Sequence, residues 1–184
     1  MKKFFLLLMF PFLIISCNTG NPDRSNTPSA DDDIAERLEE LGIELVTPNP
    51  PTANYLKTKR VGNLVFLSGH GPDKPEGGQV IGKLGSDLTV DQGKEAARLT
   101  GISLLSSLKA EIGNLNKVKS VVKVLGMVNA EPSFTDHSQV INGFSDLMVE
   151  VFGEKGKHAR SSVGMSSLPS NIPVEIELIV EVEE

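Results

Sequence analysis

Residues 158–177, HARSSVGMSSLPSNIPVEIE, constrain the fold more than any other stretch of the chain. They predict a strand over 161–167, a proline-bounded turn over 168–173, and a second strand over 174–182. Arg160 enters the first strand and Glu175 stands near the start of the second. An antiparallel return puts the two strand starts at opposite ends of the pair. The two side chains are then expected to meet across a subunit interface, or through a bent pairing, rather than as direct cross-strand neighbours. Chemically the pair is suggestive. Arginine offers a fixed cationic fork for a carboxylate, and a glutamate can hold or activate a water. Spacing alone favours a plainer interpretation, two solvated charges at strand ends.

The N-terminus carries a targeting pattern. Lys2 and Lys3 form a basic region ahead of an apolar run over 4–15, too short for a membrane span of roughly 20 residues and suited to a secretory signal. The run closes on L-I-I-S-C, which resembles a bacterial lipobox, with Cys17 in the lipidated position. Residues 1–16 are therefore read as a signal peptide. Residues 17–33 become a lipidated cysteine and a disordered tether rich in Asn, Pro, Ser, Thr and Asp. Acylation at Cys17 would hold the protein at the bacterial cell envelope, periplasmic or surface, touching the membrane through the lipid alone. With its sole cysteine so used, no thiol remains for a disulfide.

Taking Lys2 and Lys3 from the 18 basic residues leaves 16 against 24 acidic, a net charge of −8. Such a chain is a poor match for a phosphate backbone and argues against a nucleic-acid partner. A hydrophobic content of 39% supports a real core.

Residues 34–184 are expected to form one domain with a short N-terminal helix. Ile34, Leu38 and Leu41 fall at helical spacing after Asp31–Asp33, and Gly42 closes the turn. A short strand is expected over 43–46. A hairpin follows, with strands at 55–60 and 63–68 around Val61-Gly62. Its second strand contains L-V-F-L, apolar throughout and expected to be buried on both faces. The Ser68-Gly69-His70-Gly71-Pro72 run lets backbone amides approach a ligand closely, although an ordinary strand-ending loop reads as well. Another short strand is expected within 77–85.

Thr89 and Gln92 form a capping box. Ala97, Gly101, Leu104 and Leu108 then mark a helix ending by Gly113, its small residues implying close packing on a sheet. A β-branched run over 117–127 predicts a central strand. Asp136 can cap a second helix with the stripe Val140, Phe144, Leu147 and Val151, which Gly153 stops. The sum is an α+β fold, a mostly antiparallel sheet with two helices on one face. His70, His137 and His158 lack the spacing of a zinc motif, so no metal site is expected. Neither G-x-S-x-G nor a P-loop occurs.

A-R-S-x-V at Arg160, L-P at Leu168 and V-E-I-E at Glu175 together resemble the C-terminal signature of the Rid (YjgF-like, reactive-intermediate deaminase) family. The likeness runs from about residue 54 to 182. It takes in Tyr55, the V-G-N-L-V-F-L-S-G hairpin ending at Gly69, and the strand reaching Asn129. The resemblance implies a YjgF-like, chorismate-mutase-like fold and a homotrimer with pockets between subunits. Arg160 would bind a substrate carboxylate, Glu175 would position the attacking water, Tyr55 would line the pocket from across the interface, and the backbone of Gly69 would face the ligand. Asn129 corresponds to a polar pocket residue. Ser162 replaces a cysteine often found in active members, and His70 replaces a frequent glutamine. The N-G-F-S-D-L run over 142–147 marks a divergent branch. The implied reaction turns small 2-imino acids into 2-keto acids and ammonia, and needs no metal or organic cofactor. Two alternatives stand beside it: a non-catalytic binder of a small carboxylate-bearing metabolite, and a ribonuclease, against which the charge of −8 counts.

Overall fold

The computed structural model describes residues 34–184. The expected leader, the Cys17 anchor and the tether lie outside the described residues. The elements are α1 (Ile34–Glu40), β1 (Thr58–Val61), β2 (Leu64–His70), α2 (Val90–Ile112), β3 (Val118–Asn129), α3 (His137–Phe152), β4 (Ala159–Met165) and β5 (Val174–Val182). The strands form one sheet in the order β1-β2-β5-β3-β4. Every pairing is antiparallel except that of β3 with β4, which is parallel.

The helix boundaries follow local chemistry. Thr89 accepts from the Gln92 amide while the Gln92 side chain accepts from the Thr89 amide, a complete capping box. Gly113 and Gly153 sit just past the ends of α2 and α3 with φ of 80° and 59°, a backbone region that favours glycine. Asp136 precedes α3 but does not cap it with its side chain; that carboxylate accepts from Gln139 instead.

The core lies between the two long helices and one sheet face. Val65 and Leu67 of β2, Val174, Ile176, Leu178 and Val180 of β5, and Val121, Val124 and Val128 of β3 are buried there. The small residue Gly101 serves helix–helix contact rather than contact with the sheet. A Cβ at Gly101 would stand 2.6 Å from Leu147 of α3, and one at Gly143 of α3 would collide with the backbone carbonyl of Lys94 in α2. Helix α1 is held by its Ile34 amide on Asn116 and by Arg37 Nε donating to the Glu150 carbonyl.

Four further expectations require correction. First, β4 and β5 run in opposite directions but are not neighbours, because β3 lies between them. Second, Phe66 is 40% exposed: the L-V-F-L strand has one face on the helices and the other uncovered. Val122, Val163 and Met165 extend that apolar surface on the open side. Third, residues 43–46 form no strand. Fourth, residues 77–85 contribute only isolated bridges, Gln79 with Asp73 and Leu84 with Leu88 and Ala130. Gly77, Gly78, Gly82 and Gly85 all have positive φ, so this segment turns repeatedly and cannot sustain a ladder.

Candidate functional site

A cavity of about 700 Å³ opens where the end of β2 and the start of β5 meet α2. Tyr55, Gly69, His70 and Glu175 line it, with Lys57, Ser103 and Ser106 adding polar groups. A β-bulge between Leu67 and His70 re-aims the chain at this wall. Gly69 makes room there, since a Cβ on it would run into the Glu175 carboxylate. Glu175 makes no hydrogen bond or ion pair among the described residues. Burial pushes its carboxyl above the ordinary range, and the neighbouring Glu177 adds to that shift.

His70 is 5% exposed and its proton can be placed. Its Nδ1 lies 2.7 Å from the Ser68 carbonyl, which can only accept, so Nδ1 carries the hydrogen. Nε2 of the neutral ring then accepts from the Ser107 hydroxyl at 2.8 Å. Burial lowers the His70 pKa, the bond to Ser68 raises it in part, and Lys57 lowers it further. The net shift favours the neutral ring at this wall of the cavity.

Arg160 occupies a different place. It pairs with Val124 on the helix side of the edge strand β4, while Glu175 pairs with Met127 on the opposite side of β5. The intervening strand and the opposite facing keep the two apart within one chain. The Arg160 guanidinium turns under α3, where Nη1 donates to Asn142 Oδ1 at 3.0 Å and to Ser145 Oγ at 2.9 Å. Nη2 reaches the Ser138 carbonyl at 3.4 Å.

Ser162 also faces α3, for it pairs with Gly126, where a Cβ would strike Ile141. Its hydroxyl is buried with no partner. Asn129, 1% exposed, ends β3. Its Nδ2 donates to Asn171 Oδ1 at 3.0 Å while its own Oδ1 has no partner. It thereby braces the turn at Ser170 and Asn171, both at positive φ. Tyr55, Gly69 and Glu175 thus share one cavity. Arg160, Ser162 and Asn129 stand apart from it in the same chain. Sequence reasoning passed over Lys57, Ser103 and Ser106 in the cavity, and Asn142, Ser145 and His158 around Arg160. The one signal for the second group was the N-G-F-S-D-L run, whose polar positions recur one helical turn apart.

Residues 35–182 match the family model described as "YjgF/chorismate_mutase-like, putative endoribonuclease". Protein TCP17 of Trypanosoma cruzi is 42% identical over 149 residues, covering 80% of this chain and 93% of that protein. The crystal structure of Atu1372, a protein of unknown function from Agrobacterium tumefaciens, is 41% identical with a TM-score of 0.76, over 82% of this chain and 92% of that one. A Shewanella oneidensis structure described as a "putative endoribonuclease" is 31% identical with a TM-score of 0.79, over 82% and 100%.

Proposed function

Because the chain belongs to the YjgF/chorismate-mutase-like family, we propose that it is a hydrolytic deaminase of small 2-imino acids, acting as a homotrimer with its sites between subunits. The observation that carries this reading is Glu175: half-buried, unpartnered among the described residues, shifted towards higher pKa, and facing a glycine that leaves it room. A carboxylate so placed is suited to proton transfer. Arg160 lies on β4, an edge of the sheet. A head-to-tail contact closing at three would bring that edge to the cavity of the next subunit. The uncovered apolar face around Phe66, Val122, Val163 and Met165 offers the surface for such a contact.

In the reaction, Arg160 holds the substrate carboxylate and thereby fixes the imine carbon. Glu175 accepts a proton from water as the new C–O bond forms and the C=N π electrons move to nitrogen, giving a carbinolamine. Glu175, having passed its proton to that nitrogen, then takes the hydroxyl proton as the C=O bond forms and hands it to the nitrogen, which departs with the C–N electron pair as ammonia. The products are a 2-keto acid and ammonia, with water the only co-reactant.

A binder of small carboxylates is the second reading. It is favoured by the separation of Arg160 from Glu175 within one chain. The test is the release of ammonia and 2-keto acid from freshly generated 2-imino acids. Acceleration over the spontaneous rate, lost in both Arg160→Ala and Glu175→Gln, supports the deaminase. A wild-type protein that binds 2-keto acids but accelerates nothing supports the binder. The same reading keeps the protein at the bacterial cell envelope through a lipidated Cys17. Intact-mass measurement of membrane-extracted protein, against Cys17→Ser, tests that anchor.

A further inference from the structure

Ser138, Asn142 and Ser145 lie on one face of α3, directly over Arg160. A guanidinium carries five N–H groups. Both hydrogens of Nη1 are taken, by Asn142 Oδ1 and Ser145 Oγ, and one of Nη2 by the Ser138 carbonyl. What remains is Nε–H and the second Nη2–H. Nε–H and the Nη2–H beside it form the guanidinium edge whose spacing matches the two oxygens of a carboxylate.

The direction of each bond is fixed from behind. His158 Nδ1 lies 2.7 Å from the Gly156 carbonyl and must donate to it. Nε2 of the neutral ring is then an acceptor, 3.0 Å from Ser145 Oγ. The Ser145 hydroxyl donates to His158, which turns its lone pairs towards Arg160. The ring itself is held edge-on to Phe144, centroids 5.8 Å apart at 66°. Burial keeps His158 towards its neutral form, and the nearby Arg160 charge acts in the same sense.

We propose that Asn142, Ser145 and His158 are positioning residues for Arg160, occupying the Nη1 end of its guanidinium so that only the Nε–Nη2 edge is offered to a substrate carboxylate. The inference rests on Arg160 being the carboxylate-binding residue. The relay also explains why polar residues occupy α3 where it packs over an edge strand.

The test uses the full chain with Ser145→Ala and His158→Phe, and the hydrogen-bonding replacements Ser145→Thr and His158→Gln. Loss of a hydrogen bond to a charged group is worth about tenfold to a hundredfold. The expected result is a KM for 2-imino acid raised about tenfold or more in Ser145→Ala and His158→Phe, with kcat changed far less, and recovery in Ser145→Thr and His158→Gln. An unchanged KM in Ser145→Ala, a small and readily tolerated deletion, overturns the proposal. A second readout is independent of turnover: the Nη–H NMR signals of Arg160, assigned by their loss in Arg160→Lys. They should be separate in the wild type, because rotation is blocked, and averaged in Ser145→Ala. If Arg160→Ala does not alter turnover, the catalytic reading of Arg160 has failed. Averaged wild-type Nη signals show instead that the guanidinium is not held.

Discussion

Gly69→Ala separates the chemistry of the cavity from its stability. The new Cβ would stand 2.8 Å from Cδ and 3.0 Å from Cγ of Glu175, and closer still to Oε1. Ordinary van der Waals contact begins at 3.4 Å, so Cδ must retreat by about 0.6 Å, the difference between the two distances, and Oε1 by more. The obstructed atoms are the far end of a flexible side chain and can rotate away. Stability should therefore fall by less than the ~1–3 kcal/mol typical of overpacking against fixed atoms. A loss of up to ~1 kcal/mol corresponds to about 2–4 °C in Tm at this size. Catalysis has no such latitude, since a misplacement of about 1 Å costs on the order of 100-fold. The assay pairs calorimetry with ammonia release from 2-imino acids. The expected variant is folded, with a nearly unchanged Tm and kcat/KM down about 100-fold. A folded variant with wild-type kcat/KM would refute the claim that the position of Glu175 governs turnover.

Gly143→Ala should be far more costly, because its Cβ meets the Lys94 backbone carbonyl and neither helix can yield locally; urea unfolding should show a loss of at least about 2 kcal/mol. Burial raises the folded-state pKa of Glu175, so the stability it contributes is full below the ordinary value of 4.5 and is lost as pH rises through the folded pKa. Glu175→Gln should therefore raise Tm at neutral pH, and the gain should vanish in melts below about pH 4.5. The buried His70 is shifted the other way. Its contribution is present above 6.5 and is lost as pH falls from there towards its lowered folded value; His70→Gln should flatten the Tm profile over that acidic window. Phe66→Glu on the uncovered sheet face should leave a folded chain of smaller oligomeric mass by light scattering, whereas an unchanged mass would place the contact elsewhere.

Much of the fold was legible because it is locally encoded. Thr89 with Gln92 marks one helix start, Gly113 and Gly153 mark two helix ends, and the β-branched run marks β3. What was not legible depends on non-local partners. Insertion of β3 between β4 and β5 cannot be read from a strand-turn-strand pattern, which suggests a hairpin wherever two strands follow one another. The exposure of Phe66 follows from the helices covering only one face of the sheet, which an apolar run could not report. In the candidate site, Gly69 and Glu175 stand out as residue types, and the structure sets them in contact. The environment of Arg160 is different. Asn142 and Ser145 look like an ordinary polar helix face until β4 is seen to pass beneath it, and His158 looks like a loop residue until its ring is seen to orient Ser145.

The central claim is a site shared between subunits, and mixing two inactive proteins tests it most directly. Arg160→Ala retains Glu175, and Glu175→Gln retains Arg160. If each site takes its arginine from one subunit and its glutamate from the next, unfolding and refolding an equal mixture restores an intact pair at about one site in four by random assembly of a cyclic trimer. The mixture should release ammonia at about a quarter of the wild-type rate, with none from either variant alone. A mixture that assembles fully and remains as inactive as its components would contradict the shared site.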